Sequence, residues 1–436
     1  MTKAVTQWMF SYWKNGRVGN FIFYPISYYK HKSKGTRNIV YAWGNSDGGW
    51  TGHLPSEVAG KEYEDHVSGA TSVYRPKIVA SLQNKSIRDV ACGQGFTLFV
   101  TRQGQVYSSG VGRYGQLGLG SLKEVEGITV IDSIPERVIT CAAGDRHSLF
   151  VTEQGHLYTC GYGKRGELGL GTTCRRIETP QLIESLARED ERIIKVAAGH
   201  GFSVALSESG KVYSFGSAND GHLGHGEVPG GIFLWEPFHS HRHMETSPRL
   251  IRALEKEQME YISCGSGHVF AINKEGVAFG WGCGRYHCFA TREEVNWEQP
   301  QPLLHLPGPW KQIVSGGAHT LGLTRGGQVW AWGVNHFGCL GVGEQSISPG
   351  EPQMVEKLLQ LAKEPIQWIA AGWFFSMAVD SEGYVYSWGR GQAGALGTGE
   401  DEDKWEPVAI QKENGEPLQV DRIYAGMNYA IAVKDE

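Results

Sequence analysis

The sequence predicts an all-β protein, specifically a seven-bladed β-propeller that closes by pairing strands from the N-terminal and C-terminal ends of the chain. Two observations lead to this fold class. A unit of roughly 50 residues recurs along the chain, which is the signature of a repeat architecture. Glycine, with 60 of 436 residues, is about twice as common as in ordinary proteins. So many glycines imply many tight turns between short strands.

The first half of each unit is predicted to be a strand, a tight turn and a second strand. Seven stretches share the form small-small-Gly-x-x-(His or aromatic), followed by alternating apolar residues that are typical of a strand; "ACGQGFTLFV" and "AAGHGFSVAL" are two of them. The glycines of these turns, called here the repeat glycines, are Gly93, Gly144, Gly199, Gly265, Gly316, Gly372 and Gly426. Seven such halves predict seven blades.

The second half of a unit is a turn glycine and another strand that ends in glycine, as in "QGQVYSSG", between Gly104 and Gly110. The last unit lacks this half because the chain ends at Glu436, but "NIVYAWG" at 38–44 supplies it in front of the first unit. We expect Asn38 to occupy the turn position with a positive φ, which asparagine tolerates. The offset predicts that both chain ends share one blade and close the ring.

A glycine-rich loop follows each second half and leads to a fourth strand that begins with proline. In loops such as "GVGRYGQLGLG" the leucine is predicted to pack the loop against its blade. The loop after Gly282 breaks the pattern, with Tyr286, Cys288 and Ala290 where glycine or leucine is expected, and this predicts an irregular blade. Four strands in each of seven units predict about 28 strands and little helix.

Two parts of the chain are expected: a basic leader at 1–37 and the propeller at 38–436, with long loops at 52–74 and 226–247. The leader contains lysine and arginine but no acidic residue, since the first one is Asp47. That composition is typical of a mitochondrial transit peptide. A mitochondrial location is therefore expected, with a nuclear or cytoplasmic one as the alternative. A basic tail or an additional strand is the other interpretation of the leader.

Composition and motifs exclude several function classes. No stretch approaches the roughly 18 uninterrupted apolar residues of a membrane span. "GVGRYG" fits the G-x-G-x-x-G pattern, but "QLGLG" follows it instead of the helix that a dinucleotide site requires. Nothing in the sequence brings a nucleophile, a base and a metal ligand together. We therefore expect no catalytic residue and no cofactor.

One histidine cluster is a candidate metal site. His239, His241 and His243 alternate in "HSHRH" and would share one face of an extended segment, as zinc or copper ligands can. No cysteine or second ligand motif fixes a geometry around them. A solvated loop insertion is the favoured interpretation.

The two residues after each repeat glycine vary freely, and the symmetry of a propeller places all seven pairs around one rim near the axis. We call this ring of pairs the axial rim. Its charged, aromatic and polar members suit partner recognition; the candidates are Asp145, Arg146, His200, Trp373, Phe374 and Asn428. Turn residues under no constraint are the alternative interpretation.

Three histidines stand at a position that is aromatic in the other repeats. They are His147, His268 and His319, where Phe96, Phe202, Phe375 and Tyr429 stand elsewhere. Since they interchange with aromatics, we expect them to pack and hydrogen-bond within a blade rather than to act as a catalytic base.

The repeat resembles that of the regulator of chromosome condensation family, over residues 38–434. The resemblance implies a seven-bladed propeller, which we expect to be monomeric. The chromatin-bound member is a nucleotide exchange factor for Ran and works from one face, which includes acidic residues next to the repeat glycines. Asp145 matches one of these positions. However, Gly201 stands where that exchange factor has its key aspartate, and "GYGKRGELGLG" has no wedge-like insertion.

The resemblance implies a non-catalytic protein-interaction propeller, and two uses of it remain open. The first is a guanine-nucleotide-exchange-factor-like regulator of a Ras-like small GTPase. The second is a mitochondrial adaptor in RNA or ribosome assembly, since mitochondrial members of the family bind RNA or ribosome assembly partners and the basic leader is similar to theirs. An acidic propeller without a basic, aromatic-studded stripe disfavours direct RNA binding.

Overall fold

The computed structural model describes residues 37–58, 71–189, 191–226, 244–343 and 350–436. This part of the chain forms seven four-stranded antiparallel sheets, 28 strands in all. The predicted all-β propeller with seven blades is therefore confirmed. Residues 1–36 of the predicted leader, and 59–70 and 227–243 within the predicted long loops, lie outside the described residues.

The strands follow the repeat unit, and each blade takes four of them. The first two, β1 (Asn38–Asn45) and β2 (Ser72–Ile78), belong to the last blade. Blades 1 to 3 contain β3 (Ile87–Cys92), β4 (Phe96–Thr101), β5 (Val106–Gly110), β6 (Val125–Ile131), β7 (Val138–Ala143), β8 (His147–Thr152), β9 (Leu157–Gly163), β10 (Cys174–Leu182), β11 (Ile193–Ala198), β12 (Phe202–Ser207), β13 (Val212–Ser217) and β14 (Met244–Leu250).

Blades 4 to 6 repeat this arrangement. They contain β15 (Met259–Cys264), β16 (His268–Asn273), β17 (Ala278–Gly282), β18 (Trp297–Pro302), β19 (Trp310–Ser315), β20 (His319–Thr324), β21 (Val329–Gly333), β22 (Gln353–Met354), β23 (Ile366–Ala371), β24 (Phe375–Asp380), β25 (Val385–Gly389) and β26 (Lys404–Ala409). Blade 7 adds β27 (Arg422–Ala425) and β28 (Tyr429–Asp435) to β1 and β2. The first strand of each blade contacts the first strand of the next, and β27 contacts β3, so the ring closes.

Helix is confined to short connections in the described ranges. The three α-helices are α1 (Pro55–Val58), α2 (Glu184–Arg188) and α3 (Glu356–Leu361). Short 3-10 turns lie at Asp47–Gly49, Ala80–Leu82, Asn219–Gly221, Arg252–Leu254, Arg285–His287, His336–Gly338 and Gln392–Gly394. None of the helices in these ranges is both long and apolar enough to cross a membrane.

The closing blade joins the two ends of the chain as predicted. β1 pairs with β28 in an antiparallel register that runs from Asn38 opposite Asp435 to Gly44 opposite Tyr429. On its other edge β1 pairs with β2. Two N-terminal strands therefore complete a sheet that two C-terminal strands begin, which leaves no open end in the ring.

The expectation for Asn38 is wrong, because this residue is not a turn residue. It begins β1 with an ordinary strand φ, and its side chain is 4% exposed. The side-chain amide donates to the Ile87 carbonyl, 3.3 Å away, and to Asp435. The strand that pairs with β1 on this edge, β28, comes from the opposite end of the chain and not across a turn, so Asn38 serves closure instead.

The apolar core lies between the blades. Seven clusters of buried side chains each join two neighbouring blades, one cluster at every interface of the ring. The leucines of the glycine-rich loops belong to this core and are at most 3% exposed: Leu117, Leu168, Leu223, Leu340 and Leu396. Burying a leucine side chain stabilises a fold by about 1.5–3 kcal/mol, so the predicted packing role of these residues is confirmed.

In blades 4 to 7 a tryptophan near the end of the third strand links the blade to the one before it. The Trp281 indole of blade 4 donates to the His222 carbonyl of blade 3 at 3.1 Å, and the Trp388 indole of blade 6 donates to the Cys339 carbonyl of blade 5 at 3.0 Å. Trp43 and Trp332 make the equivalent bonds. Each bond satisfies a buried donor, which matters because an unpaired one costs about 1–3 kcal/mol.

The loop after Gly282 is more regular than predicted. It forms a 3-10 turn at Arg285–His287, as the loops of blades 3, 5, 6 and 7 do at the same place. His287 (φ 54°) and Ala290 (φ 55°) adopt the left-handed conformation that glycine supplies elsewhere, and Phe289, 1% exposed, takes the place of the buried leucine. The prediction of an irregular blade is wrong, because packing of Phe289 holds the loop conformation without the glycines.

Candidate functional site

The turns after the first strands of all seven blades meet at one end of the propeller axis. They surround a cavity of about 430 Å³. Its lining includes all seven repeat glycines and the residue after each: Gln94, Asp145, His200, Ser266, Gly317, Trp373 and Met427. The predicted convergence of the axial rim on the axis is thus a feature of the described structure.

The repeat glycines are required by a close approach rather than by a positive φ. A Cβ atom on Gly93 would lie 2.2 Å from the Phe96 ring, and one on Gly372 would lie 2.0 Å from the Phe375 ring. The same contact recurs with the imidazole of His147, at 2.4 Å from a Cβ on Gly144. In each repeat the ring three residues after the glycine packs on its Cα, so any side chain there displaces the ring.

An acidic and two basic residues form a cluster on blades 2 and 3. His200 Nδ1 lies 3.0 Å from Asp145 Oδ2, and Arg146 Nε lies 3.7 Å from the same oxygen. Burial alone would raise the pKa of Asp145, but the hydrogen bond from His200 and the adjacent positive charge outweigh it and hold that pKa below its usual range. Asp145 is therefore ionised at neutral pH and is already engaged by two neighbours.

Residues from the loops after the third strands cover part of the rim. The Arg146 guanidinium lies over the Tyr114 ring at 4.7 Å. The Arg165 side chain lies over Gly201, where a Cβ would be 2.9 Å from Arg165 Nη1. Gly201 also has a φ of 78°, which favours glycine. An aspartate at this position would require both a strained backbone and a displaced arginine.

Trp373 stands at the mouth of the cavity on blade 6. Its side chain is 38% exposed, and its indole packs against Gly317 of blade 5. The Gly317 amide donates to the Trp373 carbonyl at 2.8 Å, and the Trp373 amide donates to the Met427 carbonyl at 3.1 Å. These bonds tie the turns of blades 5, 6 and 7 together, so this tryptophan is presented on a rigid backbone.

Phe374 and Asn428 lie outside the cavity lining. Phe374 meets Phe337 edge to face with ring centroids 5.4 Å apart, and the Arg390 guanidinium lies 4.7 Å over the Phe337 ring. Asn428 is half-buried, and its carbonyl accepts from the Asn45 amide at 2.9 Å. Of the six predicted residues, the structure brings Asp145, Arg146, His200 and Trp373 to the cavity.

Three residues that belong to this end were missed by the sequence analysis: Arg165, Phe337 and Arg390. They lie in the loops after third strands and contact rim residues of the same or a neighbouring blade. A signal was present, because the third strand of a blade ends at the same side as the first turn. The glycine-rich loops were interpreted as structural repeats only.

Two of the three repeat histidines, His147 and His319, form hydrogen bonds to the next blade and not within their own. His147 Nε2 lies 2.9 Å from Ser203 Oγ of the next blade, and His319 Nε2 lies 2.8 Å from Ser376 Oγ. Burial lowers the pKa of His147 and of His319 to about 4, and that of His268 to about 3. The expectation of bonds within a blade is therefore wrong for His147 and His319, whose serine partners lie on the next sheet. His268 packs edge to face against Phe270 and Phe289 of its own blade, as expected.

No group of three or more histidine, cysteine, aspartate or glutamate side chains is placed to hold a metal ion among the described residues. His239, His241 and His243 lie outside those residues. The candidate metal site therefore stays a prediction that the described structure does not address.

Seven four-stranded blades form a ring, and a glycine is required in the turn after the first strand of each blade. These features define the chain as a seven-bladed β-propeller built from sequence repeats. The chain belongs to the RCC1-like domain family, whose family model matches residues 39–432. It is 29% identical to the Ultraviolet-B receptor UVR8 of Arabidopsis thaliana over 379 residues, which cover 86% of this chain and 78% of the receptor.

Two further relatives are similar to this chain in sequence, and one solved structure shares its fold. The chain is 29% identical over 378 residues to the Regulator of chromosome condensation of Mus musculus, covering 83% of this chain and 86% of that protein. It is 28% identical over 414 residues to the mitochondrial RCC1 domain-containing protein RUG3 of Arabidopsis thaliana, covering 90% and 88%. The crystal structure of human WBSCR16 superposes with a TM-score of 0.76 at 23% identity, covering 92% of this chain and 99% of that one.

Proposed function

We propose that this protein is a non-catalytic interaction propeller that binds a protein partner at the axial rim. The observation that carries the proposal is the convergence of Asp145, Arg146, His200 and Trp373 on one cavity at the axis. Backbone hydrogen bonds between neighbouring turns hold His200 and Trp373 in place. Charged and aromatic side chains on a rigid scaffold are the usual composition of a binding surface.

The chemistry of the buried groups supports a non-catalytic role. Burial lowers the pKa of the interface histidines and leaves them neutral and enclosed. Burial also raises the pKa of the Cys92 thiol at the cavity to about 12, so it is not a thiolate nucleophile near neutral pH. A general base or nucleophile needs access to substrate and a pKa matched to its task, and these groups have neither.

The first specific use that we propose is regulation of a Ras-like small GTPase in the manner of a nucleotide exchange factor. Similarity to the Regulator of chromosome condensation over 83% of this chain and 86% of that protein supports it. Asp145 supports it too, as an ionised carboxylate beside a repeat glycine. Since Arg165 leaves no room for an aspartate at Gly201, we expect a GTPase other than Ran.

An exchange assay tests this use. Tagged full-length protein is incubated with extract treated with EDTA, which strips Mg²⁺ and nucleotide, and a retained GTPase is purified and loaded with a fluorescent GDP analogue. We expect wild type to accelerate GDP release, and the double variant Asp145→Lys with Arg146→Glu to lose that effect. Glu153→Gln, at the opposite end of the propeller, is the matched control. Release that is as fast with the double variant would refute the rim assignment.

The second use is that of a mitochondrial adaptor in RNA or ribosome assembly. It is favoured by the similarity to the mitochondrial RUG3 protein and by the acid-free composition of residues 1–37. Imaging of C-terminally tagged protein with and without residues 1–37 tests it. Matrix import that depends on 1–37, together with mitochondrial ribosome partners, would support this use; a nuclear or cytosolic signal with a bound nucleotide-free GTPase would exclude it.

A further inference from the structure

The turns of the axial rim are joined to one another only in part. Where two neighbouring turns are joined, the amide of the residue after one repeat glycine donates to the carbonyl of its counterpart in the next blade. Such bonds run from His200 to Ser266 at 3.0 Å, from Gly317 to Trp373 at 2.8 Å, and from Trp373 to Met427 at 3.1 Å. A complete ring of seven blades would have seven of them. The other four gaps between neighbouring turns are open in the described structure.

Three of the open gaps are consecutive, and they run from blade 7 through blades 1 and 2 to blade 3. Among the described residues, the amides of Met427, Gln94 and Asp145 donate no hydrogen bond. In the same ranges, the carbonyls of Gln94, Asp145 and His200 accept none. All four residues line the axial cavity and are exposed or half-buried. We call the turns that contain these four residues the open arc.

The free backbone groups of the open arc match those of another polypeptide chain. Each gap has an unpaired N–H group on one blade and an unpaired carbonyl on the next. A main chain alternates the same two kinds of group, which is why the unpaired edge of a sheet recruits a second chain. An anion would satisfy only the donors and would leave the three carbonyls without partners. The pattern therefore favours a polypeptide over a phosphate or a free carboxylate.

The axial cavity beside the open arc can accept an apolar side chain. The ends of the first strands contribute small residues to its lining: Cys92, Ala143, Ala198, Ala371 and Ala425. Met427 and Trp373 also line it, and Trp373 is 38% exposed. An apolar side chain that leaves water for this space gains free energy in proportion to the apolar area that is buried. The cavity thus supplies an anchoring point next to the free backbone groups.

Charge does not select the partner at this site. Side chains of both signs surround the axial rim, and several are already paired, as Arg113 is with Glu124 at 2.8 Å. The carboxylate in the cavity lining, that of Asp145, is bound by His200 at 3.0 Å. Backbone hydrogen bonds and an apolar contact depend little on salt, whereas attraction between exposed charges is screened by it. The salt dependence of binding therefore distinguishes the two modes of recognition.

We propose that the open arc binds the main chain of an extended segment of the partner protein, and that one apolar side chain of this segment enters the axial cavity. Carbonyls of the segment accept from the free amides of the arc, and its N–H groups donate to the free carbonyls. Each backbone bond contributes modestly, and the apolar side chain is the anchor. The inference rests on the proposed function, since it states how the partner at the axial rim is recognised.

Short random peptides selected on phage against the purified full-length protein supply the probe. Replacing single amides of an enriched synthetic peptide by esters removes one N–H donor at a time and keeps every side chain. We expect an ester at more than one position to weaken binding about tenfold, as measured by fluorescence anisotropy. Replacement by alanine should have an effect of this size only at one apolar residue. The affinity should be nearly independent of salt concentration.

A variant of the protein tests the open arc from the other side. Gln94→Pro removes one free amide of the arc and should weaken the peptide about tenfold. Ser266→Pro is the matched control, because it removes the free amide of the isolated gap between blades 4 and 5. Both residues follow a glycine and neither has a positive φ, so the ring of proline is compatible with their position. Thermal melting checks the fold of each variant, and the ester series decides the question if either one is unstable.

The outcomes separate this inference from the proposed function. Peptides that tolerate every ester, yet lose affinity in Trp373→Ala, would overturn recognition of the main chain and leave the axial rim as the binding surface. Peptides that bind Trp373→Ala and Gln94→Pro as tightly as wild type would overturn the rim assignment itself. Equal losses in Gln94→Pro and Ser266→Pro, a steep fall of affinity with salt, or absence of enrichment would overturn the open arc as the binding site.

Discussion

The Arg422 guanidinium donates a hydrogen bond of 2.8 Å to the Asp435 carboxylate, and the two side chains are only 5% and 8% exposed. Asp435 also accepts from Arg102 of blade 1 at 3.1 Å and from Asn38 of β1. One carboxylate near the C-terminus therefore binds the last blade, the first blade and the N-terminal strand. It is the polar counterpart of the β1–β28 pairing that closes the ring.

Replacing Asp435 by asparagine should destabilise the protein. The change leaves Arg422 buried without its charge partner, and breaking a buried pair from one side costs about 3–5 kcal/mol. Urea denaturation measures the loss of unfolding free energy. The control is Glu153→Gln, which breaks an exposed pair (58% and 53% exposed) and should cost less than about 1 kcal/mol. Equal effects of the two changes would show that Asp435 has no special role in closure.

Replacing both His147 and His319 by phenylalanine should reduce the loss of unfolding free energy at acidic pH. Burial lowers the folded-state pKa of each histidine to about 4, whereas an unfolded histidine has a pKa of about 6.5. Unfolding therefore takes up protons between these values, and stability falls as the pH drops from about 6.5 to 4, by an amount on the order of 3 kcal/mol for each group.

The substitution suits these sites because Phe96, Phe202 and Phe375 fill the same position natively. Ser203 and Ser376 keep their bonds to the Glu167 and Cys339 carbonyls. Unfolding free energies measured at pH 7 and pH 4.5 give the slope. A slope as steep as that of the wild type would mean that other groups cause the acid sensitivity.

Gly372→Ala should be strongly destabilising although alanine is a small residue. Its Cβ would lie 2.0 Å from the Phe375 ring, and forcing an atom into a packed core costs about 1–3 kcal/mol. Phe375→Leu should relieve the clash, so that the double variant is more stable than the sum of the two single changes predicts. Gly326→Ala, whose Cβ would meet only Thr324 Oγ1 at 3.8 Å, serves as the control. If the free-energy changes of the two single variants simply add up in the double variant, contact with the Phe375 ring is not the reason that Gly372 is required.

Trp388→Phe should cost about 1 kcal/mol, since it removes one buried hydrogen bond and keeps most of the apolar contact. The loss is limited because the Cys339 carbonyl also accepts from Ser376 Oγ at 2.7 Å. Trp388→Ala should cost about 3–5 kcal/mol, because it also opens a cavity between blades 5 and 6. Thermal denaturation of the two variants separates the hydrogen bond from the packing. If the two cost the same, the bond rather than the packing holds this interface.

The closed ring could be predicted because the half unit that is missing after the last repeat, "NIVYAWG", is found before the first repeat. Local interpretation failed at Asn38 and His147, whose partners, Asp435 and Ser203, are distant in sequence. The repeat glycines were visible, but the ring that makes each of them necessary is visible only once its packing is known. Arg165 and Arg390 were missed because the glycine-rich loops were interpreted only as structural repeats, although the strand order of a blade places these loops at the same end as the rim.

The central claim is that a partner is bound at the axial rim, and site-specific photo-crosslinking in cells tests it most directly. A photo-reactive amino acid is placed at Trp373 or at Leu304, which is 77% exposed and lies beyond β18, away from the rim. The account predicts a partner adduct from position 373 and none from position 304. An adduct from position 304 with none from position 373 would contradict it.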